Sequence, residues 1–335
     1  MLNALNSFDA SALDLDCAAA AREIEQSIQR IVSQDLRRQG VVLGVSGGID
    51  SSVCAALAVR ALGPERVLAI LMPEKESSDS STERGRLLCE HLGITPILEN
   101  ITAPLTALGC YERRDNAIRR LFPEYGPGWK QKIGLATGLL DSDRVNYFNI
   151  TVESPDGVRQ TSRMPADIYL SVVAATNLKQ RIRKTVEYTH ADRLNYAVIG
   201  TPNRLEFELG FFVRGGDGLA DLKPIAHLYK SQVYQMAAYL GLPADIQNQS
   251  PSTDTYTLPQ SQEEFYYAIP YQTLDLALCA YGRGVPEEEA AQALGLTVEQ
   301  VQRVYKDIVL KRRTSARILR NAILVQPVEV NGSHQ

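Results

Sequence analysis

The stretch "GVSGGIDSS", Gly44 to Ser52, constrains this chain more than any other. Upstream, Val41-Val42-Leu43 is short, β-branched and apolar; downstream, "SSVCAALAVRAL" (51–62) carries apolar residues at helical spacing. A loop that joins a buried strand to a helix turns its backbone N–H groups toward whatever lies above the helix N-terminus, and an anion is the natural guest. Strands and helices alternate from there. Val41–Val45 precedes a helix over 51–62, Val67–Met72 precedes one near 80–92, and Ile94–Ile101 reads as a third strand. Such a βαβαβ series predicts a parallel sheet with right-handed crossovers, and ligands of such sheets sit beyond the C-terminal strand ends.

Residues 18–37 read as an amphipathic helix, 167–190 as a long helix, "YAVIGT" (196–201) as a fourth parallel strand, and 229–241 as a helix stopped by Gly241 and Pro243. The segment 123–165 breaks the rhythm: "FPEYGPGWKQKIG" is rich in glycine and proline, and Ser154-Pro155-Asp156-Gly157 reads as the turn of a β-hairpin. Residues 248–262 have loop composition, and the C-terminal quarter is helical. The expectation is an α/β fold, a twisted parallel sheet with helices on both faces. It divides into an α/β domain over 1–270, with an insertion near 123–165, and a helical C-terminal extension of the same domain over 271–335.

Composition removes several classes of function. A net charge of −4 argues against a dedicated nucleic-acid binder. No run approaches the roughly 18 apolar residues that a membrane span needs, and "MLNALNSFDA" lacks the pattern of a secretory signal. Cys17, Cys54, Cys89, Cys110 and Cys279 are scattered and never spaced as CxxC, so neither a disulfide framework nor a structural zinc site is expected. The profile is that of a cytoplasmic enzyme.

Two familiar phosphate loops fail by residue. The Walker loop needs a lysine where Asp50 stands, and the dinucleotide loop needs a third glycine after Gly47-Gly48. "SGGIDSS" resembles instead the pyrophosphate loop of the N-type ATP pyrophosphatases, which cleave ATP between its α and β phosphates. The residue types suit that chemistry. Gly44, Val45, Ser46, Gly47, Gly48, Ile49 and Ser51 would cradle the leaving pyrophosphate, and Asp50 is a hard oxygen ligand for magnesium.

The remainder of the chain narrows the family. "NLKQRIR" (177–183), "GTPNRLEFELGFFVRGGDGLADLKPIAHLYKSQV" (200–233), "PSTD" (251–254) and a terminal "KRR" resemble NAD synthetases, in order and over residues 38–101 and 166–325. The resemblance implies an adenine nucleotide alpha hydrolase-like fold and the amidation of deamido-NAD with ATP and ammonia through an adenylated carboxylate. It places Thr201 near the adenine or ribose of ATP and makes Glu206 a second magnesium ligand beside Asp50. Lys230 would sit on the ATP phosphates, and Ser252 in a loop over ATP. Arg181, Arg214 and Asp221 become contacts to the dinucleotide, and Asp217 a carboxylate near the ammonia site that takes a proton. Plainer readings compete: a surface carboxylate for Glu206, a turn residue for Asp217, a solvated helix start for Lys230, and a partly solvated face for Lys179, Arg183 and Lys184. The resemblance also implies a homodimer whose interface builds the substrate site.

Two departures stand out. Leu310 and Lys311 stand where the resemblance implies substrate contacts, but the family has His-Lys-Arg where this chain has Leu310-Lys311-Arg312, and the insertion is foreign to short members; both leave room for a relative that amidates another acid. No cysteine stands in a nucleophile setting and no glutamine-hydrolysing module is recognisable, so ammonia is expected free or from a separate subunit. "GVPEEEAAQALGLTVEQVQRVYKDIV" (284–309) scans like a helix-turn-helix, but its acidic first helix and few base-reading side chains argue against DNA binding.

Overall fold

A computed structural model describes residues 7–140, 147–251 and 256–328. Helix α1 (Cys17–Arg30) runs on into a π-turn over Ile31–Asp35 and leads to β1 (Val41–Gly44), the nucleotide-type loop and α2 (Ile49–Leu62). Next come β2 (Val67–Leu71), α3 (Asp79–His91), β3 (Ile97–Leu98), α4 (Thr102–Ala107) and α5 (Cys110–Arg119). The insertion contributes β4 (Lys130–Leu135), β5 (Phe148–Glu153) and β6 (Arg159–Arg163). The chain returns through the long α6 (Ala166–Leu194), β7 (Ala197–Val198), α7 (Arg204–Leu209), α8 (Lys230–Tyr239) and α9 (Ala244–Gln247). It finishes in α10 (Tyr271–Arg283), α11 (Glu287–Leu294) and α12 (Val298–Ile318).

The main sheet is parallel, in the order β3-β2-β1-β7. Its residues alternate between two cores. Val41 and Leu43 face α1, α2 and α8, while Val42 and Ile70 face α4, α5 and α6. Helices therefore cover both faces, as the near-continuous apolar strands require. The third strand is shorter than expected: Pro96 has no N–H to give, and Leu98 at this edge is 53% exposed. The fourth is short too, continued only by a bridge from Ile199 to Leu222.

The insertion is more than a hairpin. The turn forms where expected, with Gly157 N–H donating to the Ser154 carbonyl at 2.9 Å and Gly157 at φ +81°. A third strand, β4, pairs antiparallel with β5 along its whole length. Ile133, Ile150 and Val152 pack onto Ile118 and Phe122 beside α5 and onto Ile168 and Val172 of α6, so this small sheet shares a core with the parent domain. The C-terminal helices share another with Leu205 and Leu209 of α7. The second helix of the helix-turn-helix-like segment, α12, turns Val301, Val304 and Ile308 into those cores.

A buried ionic cluster ties the end of β2 to the helices behind it. Lys179 of α6, 1% exposed, places its ammonium 2.8 Å from both Glu74 Oε1 and Glu76 Oε2. Arg114 of α5 grips Glu76 through two nitrogens at 2.6 and 2.9 Å, and Tyr111 donates to Glu74 at 2.7 Å. Burial alone would raise the Glu76 carboxyl. The hydrogen bonds of Arg114 and the charges of Lys179 and Arg114 outweigh it and hold its pKa at about 2. A carboxylate depressed from 4.5 to about 2 stabilises the fold above the upper value and loses that contribution as pH falls toward the lower one. Glu76→Gln should therefore cost about 3–5 kcal/mol in urea denaturation at neutral pH. Its deficit against the unmodified protein should narrow on acidification, and a deficit constant with pH would refute the ionic account.

Candidate active site

An elongated cavity of about 560 Å³ opens at the C-terminal end of the main sheet. Its head is the loop Gly44–Ser51. Gly47 sits at φ +75°, and a Cβ there would come within 2.5 Å of the Ser81 carbonyl oxygen, so only glycine lets the loop lie against α3. Ser46 and Ser51 hydroxyls lie 3.2 Å apart, Gly48 N–H donates to Ser46 Oγ at 3.3 Å, and Ser51 Oγ donates to the Gly48 carbonyl at 3.0 Å. Helix α2 begins at Gly48 with no side chain capping it. Its free N–H groups and the two hydroxyls form a donor-rich cradle suited to phosphate oxygens.

Three ionisable side chains converge beneath that cradle. Asp50, on the first turn of α2, forms an ion pair through Oδ2 with the ammonium of Lys230, and accepts from Asn203 Nδ2 through Oδ1 at 3.0 Å. Lys230 is 2% exposed at the start of α8. Burial would lower its pKa, but Asp50 and then Glu206 outweigh that and keep it raised and charged. Glu206 accepts from Asn203 N–H at 3.1 Å and from Gln262 Nε2 at 3.2 Å. Desolvation, and next the Asp50 charge, push its pKa up to about 8. Two carboxylates and two hydroxyls are hard oxygen donors, and one or two carboxylates plus substrate phosphates are what magnesium ordinarily takes. Asp50 and Glu206 therefore fit that ion. Among the described residues no group of three or more His, Cys, Asp or Glu stands ready as a self-sufficient metal site.

Thr201 lines the cavity, as does Asp217, whose carboxyl accepts from Val213 N–H at 2.7 Å and is raised by burial. Gly44, Val45, Ser46, Gly48, Ile49, Asp50, Ser51, Glu206 and Lys230 line it too. Ser252 lies outside the described residues. Other expected contacts lie away from the cavity of this chain. Arg181 and Arg214 are exposed, and Arg181 Nε donates to the Arg214 carbonyl at 3.2 Å. Asp221 accepts from Val198 N–H at 2.7 Å and from the Tyr188 hydroxyl at 3.2 Å, bracing β7 against α6. Leu310 is 53% exposed, and Lys311 pairs with Asp307 at 2.6 Å.

Further residues line the cavity or brace its charged groups. Arg183 and Lys184 line the cavity, and Lys184, far from solvated, pairs with the buried Glu187 at 2.6 Å. Glu187 lies under the strand end, where a Cβ on Gly44 would come within 2.9 Å of its carboxylate. Asn203 joins Asp50 to Glu206, and the capping box in "NRLE" was its signal in the sequence. Asp275 accepts from Lys230 N–H at 3.2 Å and Ser231 N–H at 2.7 Å; burial raises its pKa to about 6 against those bonds. None of the five cysteines lines the cavity, and all are free.

Known proteins resemble this chain in sequence and fold. The model of the NAD synthase family matches residues 20–119 and 128–314. An NH(3)-dependent NAD(+) synthetase of Rhizobium meliloti (strain 1021) is 51% identical over 322 residues, covering 96% of each chain. One from Thermotoga maritima is 34% identical over 247 residues, 73% of this chain and 81% of that one. Among solved structures, an NMN synthetase from Francisella tularensis superposes with a TM-score of 0.64 at 22% identity, covering 93% of this chain and 99% of that one. An NH3-dependent NAD synthetase from Campylobacter jejuni superposes at 0.61 and 23%, covering 93% and 100%. At such identity these two speak for the fold alone. The family match, spanning most of the chain, decides membership: the chain belongs to the NAD synthase family.

Proposed function

We infer that this protein converts deamido-NAD, ATP and ammonia into NAD, AMP and pyrophosphate. The observation that carries the reading is the convergence of Asp50, Lys230 and Glu206 beneath an α2 N-terminus whose loop bears an acid where a kinase-type loop bears lysine. A carboxylate is a poor electrophile, and its hydroxide is no leaving group at neutral pH, so the acid must be activated. One oxygen of the nicotinate carboxylate attacks the α-phosphorus of ATP, and the α–β bridging bond breaks. The loop N–H groups, Ser46, Ser51 and the Lys230 ammonium receive the departing pyrophosphate; each charge-assisted hydrogen bond contributes about 1.5–3 kcal/mol. Asp50 and Glu206 would hold magnesium, which would supply further neutralisation of the phosphate charge. Ammonia then attacks the acyl carbon and AMP leaves. Asp217, at the cavity wall and with a raised pKa, is placed to take the proton that the attacking nitrogen sheds.

Thr201 and Ser252 serve the ATP side in this reading. Arg181, Arg214, Asp221, Leu310 and Lys311 lie outside the single-chain cavity, and a second copy seated on the exposed Arg181–Arg214 face would bring them to a dinucleotide. A homodimer is proposed on that ground. Ammonia enters as such or from a separate supplying subunit, because no cysteine is placed for glutamine hydrolysis. No helix among the described residues is long and apolar enough to cross a membrane, and a cytoplasmic setting suits free thiols and ATP.

Assays with purified protein should yield AMP and pyrophosphate, with ammonium supporting turnover and glutamine alone not. Release of ADP and phosphate would exclude the mechanism. Asp50→Asn should lower kcat by about 100-fold or more while its thermal unfolding stays cooperative; retained activity would remove Asp50 from the chemistry. Arg181→Ala should raise the KM of deamido-NAD more than that of ATP, and sedimentation should show a dimer. A fully active monomer would contradict the shared site.

A further inference from the structure

The cavity changes character along its length. One face of α6 forms its floor: Tyr169, Val173, Thr176, Gln180, Lys184 and Glu187 follow at spacings of three and four. The Glu187 end lies under Gly44 and the phosphate cradle. Tyr169 stands eighteen residues earlier on the same helix, roughly 27 Å away at about 1.5 Å per residue. There the lining is aromatic, and Phe265 and Phe211, with ring centres 5.8 Å apart, carry it back toward Glu206. Phe148 of β5 stacks on Tyr169 with ring centres 4.4 Å apart and planes at 18°, and Tyr256 meets Phe265 edge-on at 5.4 Å. The same stacked pair separates the cavity from an outer notch beside Arg163.

The insertion builds this end twice over. Phe148 belongs to it directly. Its strand β4 also holds the segment that carries Tyr256 and Phe265: Leu258 N–H donates to the Gln131 carbonyl at 3.0 Å, Gln131 N–H to Thr257 Oγ1 at 2.7 Å, and Gln260 Nε2 to the Ile133 carbonyl at 2.5 Å. Lys132 pairs with Glu264 at 2.5 Å.

ATP is tethered at the other end, where the loop takes its phosphates and the end of β2 and Thr201 flank the cradle. The acid acceptor is longer. Its carboxylate-bearing ring must meet the α-phosphorus near the loop, and two riboses and a pyrophosphate separate that ring from its second base. We propose that the aromatic end built by the insertion stacks this distal base and makes the enzyme selective for the dinucleotide acid over the mononucleotide acid. The proposal rests on deamido-NAD being the acceptor. Aromatic stacking suits a base because it uses the π-face and needs no hydrogen-bond match.

The test compares the unmodified enzyme with Phe148→Ala, Phe148→Leu and Phe148→Trp, using deamido-NAD and nicotinate mononucleotide in turn at saturating ATP and ammonium. The Ala and Leu variants should raise the KM of deamido-NAD about tenfold or more and lower the dinucleotide-to-mononucleotide ratio of kcat/KM to match. The KM of ATP should stay put, and Trp should restore the ratio. Leu retains apolar volume, so it separates loss of the ring from loss of the fold. An equal rise in the KM of ATP would put ATP's own base on Phe148, and unchanged kinetics would leave the wall without a ligand; either overturns the proposal. If the unmodified enzyme amidates the mononucleotide acid and not deamido-NAD, the acceptor reading fails and this assignment goes with it.

Discussion

Lys230 carries its charge into a site where almost no water reaches it, and the pairing with Asp50 is what makes that tolerable. Stripping an ammonium of water costs several kcal/mol unless a partner and further hydrogen bonds replace the solvent. Here the partner sits on the first turn of α2, and Asn203 takes Asp50's other oxygen. Asp275 accepts the backbone N–H groups that open α8, which aims Lys230 at the loop. The pair thereby fastens α2, α7 and α8 around one point at the sheet's C-terminal edge. An anion arriving at the α2 N-terminus meets that ammonium at once. In the proposed mechanism, the side chain that holds these helices together is also the one that receives pyrophosphate.

The second constraint is the buried ionic cluster behind β2. Glu74 and Glu76 follow the strand directly, so their hold on Lys179 and Arg114 determines where Pro73 and Ser77 stand in the cavity wall. Lys179 and Lys184 lie on successive turns of α6, each with its own buried carboxylate. Lys179 thus ties α6 to the end of β2, whereas Lys184 and Glu187 pair within the helix and fix each other on the face that forms the cavity floor.

Much of this was legible in the residues. The loop declared itself because a β-branched run, two glycines, an acid and a helical period coincide within Val41 to Leu62. The parallel order followed from alternation of strand and helix. The basic run on α6 was not legible in the same way. Lys179 reads as solvated surface until Glu74, 105 residues away in sequence, is brought beside it. Arg181 drew attention by its motif, yet helical geometry turns it from the face that Arg183 and Lys184 share. Strand β4 was hidden for a related reason: "KQKIGL" has little β-branched content, and its pairing is set by β5 on one side and by residues 257–260 on the other. Local pattern reveals elements that fold on their own period, and it misses those whose partners arrive from elsewhere in the chain.

The central claim is that the acceptor's carboxylate, and not ammonia or water, attacks the α-phosphorus. Deamido-NAD labelled with ¹⁸O in its nicotinate carboxylate tests this directly, with the products of one turnover examined by mass spectrometry. The account predicts one labelled oxygen in AMP, carried over when the acyl–oxygen bond breaks, and none in pyrophosphate. Unlabelled AMP, or label appearing in pyrophosphate, would contradict it.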